Sequence, residues 1–225
     1  MAKSSLVPVD ICNLALSHVG QSPIRNLEEN NKPARSCAVV YEQMKRAVLR
    51  VAKWKFATRP AVLVAVVDPA LVKMGFTGYQ LPDDFLRKKR LWFGEYSADV
   101  NKDVKHTIMG RRAVVRGLVT EGLNLLYISD RAPEEDFDNL FIDLLALKIA
   151  YSLTYSLVQS TSLRNQLLQE YTRQESLAIS VDSQDTDEFT NDASYMFNDF
   201  AKARLGGVEG PAGNVVPNTS PFIHN

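Results

Sequence analysis

The chain has 225 residues, 45% of them hydrophobic, and its 26 lysine and arginine side chains are balanced by 26 aspartate and glutamate. This length holds one large domain or two small ones around a buried core. Zero net charge argues against whole-molecule attraction to nucleic acid or to an anionic membrane, so any electrostatic function has to be regional.

Met1-Ala-Lys-Ser-Ser precedes no apolar run of signal-peptide type, and no stretch of roughly eighteen residues reads as apolar enough to span a bilayer, so no membrane anchor is expected and folding in the cytoplasm is. The first element is a helix from Asp10 to Gly20: Ile11, Leu14, Ala15 and Val19 recur at helical spacing, with Asp10 as N-cap and Gly20 as the stop. A longer helix begins at Pro33, a residue suited to a first turn, and repeats Cys37, Val40, Tyr41, Met44, Val48 and Val51 before running into Trp54-Lys-Phe-Ala57. The two helices are expected to pack together antiparallel. Cys12 and Cys37, the only cysteines, fall on their inner faces and are expected to be buried and reduced.

From Ala61 the period changes. Ala61–Val67 is rich in valine and ends at Asp68-Pro69, which predicts a strand; Leu86–Phe93, Val104–Ile108, Ala113–Arg116 and Leu123–Ser129 follow at hairpin spacing, with a turn at Gly110-Arg111. Helical periodicity returns near Phe137, after the acidic run Glu134-Glu-Asp136, in a segment to Val158 that is apolar nearly all round and must be buried on most sides. A further helix after Ser160-Thr-Ser162 carries Leu163, Leu167, Tyr171, Ala178 and Val181 on one face and is expected to cover the preceding one. Beyond Asp182 the composition is polar, then rich in Gly, Pro and Asn, which predicts an extended tail with one short helix between Ala193 and Leu205.

The expected fold class is α+β: a four-helix bundle-like domain with a small antiparallel or mixed β-sheet region inserted between two helical pairs. Its divisions are residues 1–58 (first pair), 59–133 (β insertion), 134–182 (second pair) and 183–225 (extended tail).

No pattern of residues calls for catalysis or a cofactor. His18, His106 and His224 lie in separate segments without metal-ligand spacing, no Gly-rich loop stands between a strand and a helix, and no serine sits in a nucleophile elbow. Glu28-Glu29 is the one acidic loop pair near the helices, and adjacent carboxylates cannot by themselves flank a glycosidic bond. Charge is more telling. Residues 86–117 hold nine lysines and arginines against three acids, with Arg87, Lys88, Lys89, Arg90, Arg111 and Arg112 prominent, whereas 183–225 hold six acids against two bases. A basic β region and an acidic tail suit contacts between copies or neighbouring rings. Trp92 and Phe93 after the basic run are expected to pack the sheet rather than stack on bases. In the tail, Val215, Val216, Phe222 and Ile223 stand among prolines and can anchor it on a partner at modest ordering cost.

A series of short matches then places the chain. Ala15-Leu-Ser-His-Val-Gly20, Leu27-Glu-Glu29, Ala34, Cys37, Tyr41, Leu49 leading to Trp54, Phe56 and Ala57, Tyr79-Gln-Leu-Pro-Asp-Asp84, Leu126-Tyr127, Phe137-Asp138 and Phe141 together resemble, in order and spacing over residues 6–182, the tail tubular protein A family. These are the head-to-tail adaptors of short-tailed phages. The resemblance implies a structural virion protein at the head–tail junction, a ring of twelve copies between the phage portal protein and the tail nozzle protein, with genomic DNA passing through its channel without sequence-specific binding. It further implies a β region directed toward the tail and a C-terminal extension reaching the portal. Two other readings stay open: a tail-associated cell-wall hydrolase on the same scaffold, and a nucleic-acid-binding module using the basic β region.

Overall fold

A computed structural model describes residues 7–94, 103–119 and 121–181. Among them the chain is mixed α+β, with five helices and two antiparallel sheets. Helix α1 (Pro8–His18) starts earlier than the sequence suggests, because Pro8 opens the first turn and Val7 is the N-cap. Asp10 instead lies inside that turn, where its carboxylate accepts the Val7 N–H at 3.2 Å. Gly20 ends the helix as expected, with φ +67°, while the Gln21 N–H donates to the Leu16 carbonyl at 3.0 Å. Helix α2 (Lys32–Leu49) is capped by Asn31, whose side chain accepts the Ala34 N–H at 2.8 Å.

The strands among the described residues follow α2, with one short helix among them: β1 (Thr58–Leu63), β2 (Ala65–Val66), the short helix α3 (Pro69–Lys73), β3 (Phe76–Gln80), β4 (Phe85–Phe93), β5 (His106–Met109), β6 (Arg112–Arg116) and β7 (Leu123–Ser129). One sheet has the order β1-β7-β4 and the other β2-β3-β6-β5, and every pairing is antiparallel. The single sheet expected from the sequence is thus two, and the single strand expected over Ala61–Val67 breaks at Val64, where the chain passes from one sheet to the other. The sequence also hides α3 and β3. Gly78 interrupts the β pattern of Phe76–Gln80, and the structure explains it: a Cβ there would stand 3.0 Å from the Leu71 side chain of α3.

Strand β7 joins two cores. Its Leu123, Leu125 and Tyr127 enter the cluster between the sheets with Leu63, Tyr79 and Leu91, whereas Ile128 belongs to the helical core. After a 3₁₀ turn at Glu134–Asp136, helix α4 (Asn139–Leu157) begins behind Asp138, which caps it by accepting the Leu140 N–H at 3.1 Å. α4 packs against both α1 and α2, which touch each other far less and meet where Cys12 faces Cys37. Both thiols are free and fully buried, as expected. Helix α5 (residues 161–181) lies along α4, with the Lys148 ammonium 4.3 Å from the Tyr171 ring centre and Leu167, Tyr171 and Ala178 in the helical core.

By length and composition α4 is, against the sequence expectation, apolar enough to cross a bilayer, with a mean hydropathy of 1.4. Half of that stretch is packed inside the protein, including Phe141, Leu144, Leu145, Ile149 and Leu153. This is the burial a core helix surrounded by neighbours requires.

Candidate functional site

The basic strand β4 is where charge and architecture meet. Two register shifts, between Phe85 and Arg87 and between Lys88 and Arg90, kink the strand as β-bulges do and re-aim its side chains. Arg87 reaches the end of α2, where its Nη1 donates to the carbonyls of Arg50 at 2.9 Å and Val51 at 3.1 Å. Those carbonyls belong to a helix C-terminus, where a cation is favoured by the helix dipole. Lys89 continues the line, donating to the Lys53 carbonyl at 3.2 Å. Lys88 and Arg90 turn to Asp103 instead, at 3.7 Å and 2.9 Å. Each of the four cations therefore has a partner within the chain, and two of them fasten the sheet to the helices.

Arg111 pairs with Asp83 at 2.8 Å and donates to the Pro82 carbonyl, while Arg112 pairs with Asp68 at 2.6 Å. Of the six basic positions picked out by the sequence, four are thus shared among three acids, Asp103, Asp83 and Asp68, and Arg87 and Lys89 bind backbone carbonyls, rather than all six gathering into one patch. Phe93 stacks edge-on against Tyr79 at 6.2 Å, inside the inter-sheet core. Val215, Val216, Phe222 and Ile223 lie outside the described residues.

Several groups the sequence did not single out for electrostatics complete the junction. Asp84 accepts hydrogen bonds from the hydroxyls of Ser129 and Tyr127, the latter at 3.0 Å. Burial opposes ionisation of Asp84, but these two donors outweigh it and hold the carboxyl below the ordinary aspartate range. Burial and then the Asp84 carboxylate push the Tyr127 phenol up to about 12. Nearby, the buried Lys45 of α2 pairs with Glu134 at 2.7 Å, and burial followed by the Glu134 charge raises the Tyr41 phenol. Arg46 binds Asp130 at 2.6 Å.

An aromatic cluster closes the same junction, with Phe141 of α4 5.1 Å from both Trp54 and Phe56 and 4.6 Å from Phe137. Seven of the residues in the series of short matches are therefore packing or fastening points: Tyr79, Asp84, Tyr127, Trp54, Phe56, Phe137 and Phe141.

The acidic loop is tied to itself through Glu29. Both Glu29 oxygens are taken by its own loop, from the Arg25 N–H and the Asn31 side chain, each at 2.6 Å. His18 occupies the last turn of α1, and His106 Nδ1 lies 2.8 Å from the Val104 carbonyl. Among the described residues no group of three His, Cys, Asp or Glu side chains could hold a metal ion.

The exposed surface also carries apolar side chains. On the β region Val62, Val64 and Val67 are exposed within six residues, the last to 85%, and Met74 and Leu118 are exposed as well. On the helical side a groove of about 410 Å³ runs between α2 and the C-terminal half of α4, lined by Lys32, Arg35, Val39, Val40, Leu153 and Ser156. No family model and no curated protein matches this chain.

Proposed function

We propose that this chain is a structural subunit of a phage head-to-tail adaptor ring, joining a portal to a tail nozzle around a channel for the genome, with assembly rather than catalysis as its chemistry. In this reading α1, α2, α4 and α5 make a four-helix bundle-like body, copies stand side by side in a ring of twelve, and the β region points toward the tail. The order and spacing of the matches over residues 6–182 support it.

The observation that carries the proposal is the exposure of apolar and aromatic side chains outside two completed cores. Val64 and Val67 are 74% and 85% exposed at the switch between the sheets, and Tyr155 is 74% exposed on α4. Apolar surface of this kind beside fully packed cores suits contact with other subunits. Basic residues of β4 that already fasten the sheet to α2 suit a rigid subunit better than a free nucleic-acid grip.

Electron microscopy of the purified full chain, alone and with portal protein, tests the reading. Closed rings seated on the portal are expected. Monomers alone in both samples would refute it, clearing of peptidoglycan in a zymogram would favour the hydrolase, and DNA affinity falling steeply with salt would favour the nucleic-acid module.

A further inference from the structure

We propose that the groove between α2 and α4 is the seat of the chain's own acidic segment 185–199, with Phe189 as the side chain that enters it. This goes beyond the ring reading and does not depend on it. The groove, at about 410 Å³, is lined by Val39, Val40 and Leu153, its charged lining is Lys32 and Arg35, and no acid lines it. That volume falls within the roughly 300–1,000 Å³ of clefts that accept a compact ligand. Among the described residues neither Lys32 nor Arg35 has an ion-pair partner. An occupant has to bring an apolar group flanked by negative charge.

The chain itself carries one. Asp185, Asp187, Glu188, Asp192 and Asp199 fall within a stretch that contains no lysine or arginine from 183 to 200, and Phe189 follows directly on Asp187-Glu188. Negative charge beside an aromatic ring complements cations beside an apolar wall.

Reach is sufficient. At the end of α5, Ala178 and Val181 lie against Trp54, Phe56 and Leu140, near the start of α4. From Leu140 to Leu153 in the groove wall is thirteen positions along α4, about 20 Å at 1.5 Å per residue. An extended chain covers that in about six residues at roughly 3.3 Å each, and Phe189 stands eight beyond Val181. A tether this short gives an effective concentration in the millimolar range, far above that of a second copy in dilute solution. The chain's own segment therefore wins the groove over a neighbour's.

Carbodiimide cross-linking of the dilute full-length chain, read by mass spectrometry, tests this. Amide links are expected between the Lys32 amine and the carboxylates of Asp185, Asp187 or Glu188. Phe189→Ser and, separately, Val39→Asp at the exposed groove wall should each lower their yield by about tenfold. In an equal mixture of ¹⁴N and ¹⁵N chains each link should carry one isotope. No Lys32 links to the segment, yields unchanged by both substitutions, or links of mixed isotope would overturn the proposal. Rings without these links would leave the assembly reading standing and remove this one; links without rings would do the reverse.

Discussion

Truncation of Leu145 tests the architecture most directly. Leu145 is fully buried on α4, in the core shared with α1 and α2. Leu145→Ala removes three carbons, worth about 0.8 kcal/mol each or roughly 2.4 kcal/mol in transfer alone. The remaining cavity lies between packed helices that can collapse only in part, which takes the expected loss to about 3–4 kcal/mol. For a chain of this size that is a fall in Tm of about 6–16 °C. Tyr155 on the same helix is 74% exposed, so Tyr155→Ala should cost no more than about 0.5 kcal/mol. Denaturant unfolding of both variants beside the parent chain gives the comparison. A Leu145→Ala loss below about 0.5 kcal/mol, or equal losses at the two sites, would mean that α4 is not the core helix described above.

The remaining expectations follow from individual contacts. Arg87→Ala gives up two bonds to the α2 terminus and should cost about 1–3 kcal/mol, against no more than about 0.5 for Lys88→Ala at its long ion pair; equal denaturation midpoints would mean that the basic run is a solvated surface and no fastening. Reversing all four charges from Arg87 to Arg90 should for the same reason loosen the fold, where the sequence alone suggests a surface change; an unchanged midpoint would speak against the fastening role. Asp84, with a folded pKa below its unfolded value of about 3.9, contributes stability that is present above that value and lost as the pH falls through the folded one. Asp84→Asn should therefore cost about 1–3 kcal/mol at pH 7 and flatten the decline below about pH 4, and an unaltered acid limb would remove the Asp84 clasp from the account. The Cys12 and Cys37 thiols, buried and with Cys12 pushed up by its hydrogen bond with Cys37 and by burial, should resist a thiol reagent until the chain is denatured; fast labelling of the native protein would contradict their burial. Gln159 closes α4 at φ +56°, so Gln159→Gly should raise stability by about 1 kcal/mol, and a loss would show that its side chain holds something more valuable than the strain it causes.

Local order was largely legible before the structure. The strand over Leu123–Ser129 is found at the expected bounds, and the apolar repeats of α2 and of residues 161–181 lie on the buried faces they predict, because a period of 2 or 3.6 is written directly in neighbouring residues. Periodicity places the start of the first helix two residues late, because Asp10, which lies inside the first turn, imitates a cap. β3 is not legible in the sequence because Gly78 answers to α3, which is a packing demand and not a local propensity.

The candidate site divides in the same way. Sequence by itself determined that a neutral chain concentrates cations between residues 86 and 117 and acids after 183, and that one late helix is too apolar to stand alone, since composition and periodicity are properties of the chain. Only the tertiary structure decided what those charges meet. Arg87 lies 37 residues from the Arg50 carbonyl it binds, and Arg46 lies 84 from Asp130. Such pairings depend on how β4 is bulged and where α2 ends against the sheet. A carbonyl left open by a helix terminus leaves no mark in the sequence, so of the four cations that read as a docking surface two, Arg87 and Lys89, become, once folded, the fastening between helices and sheet.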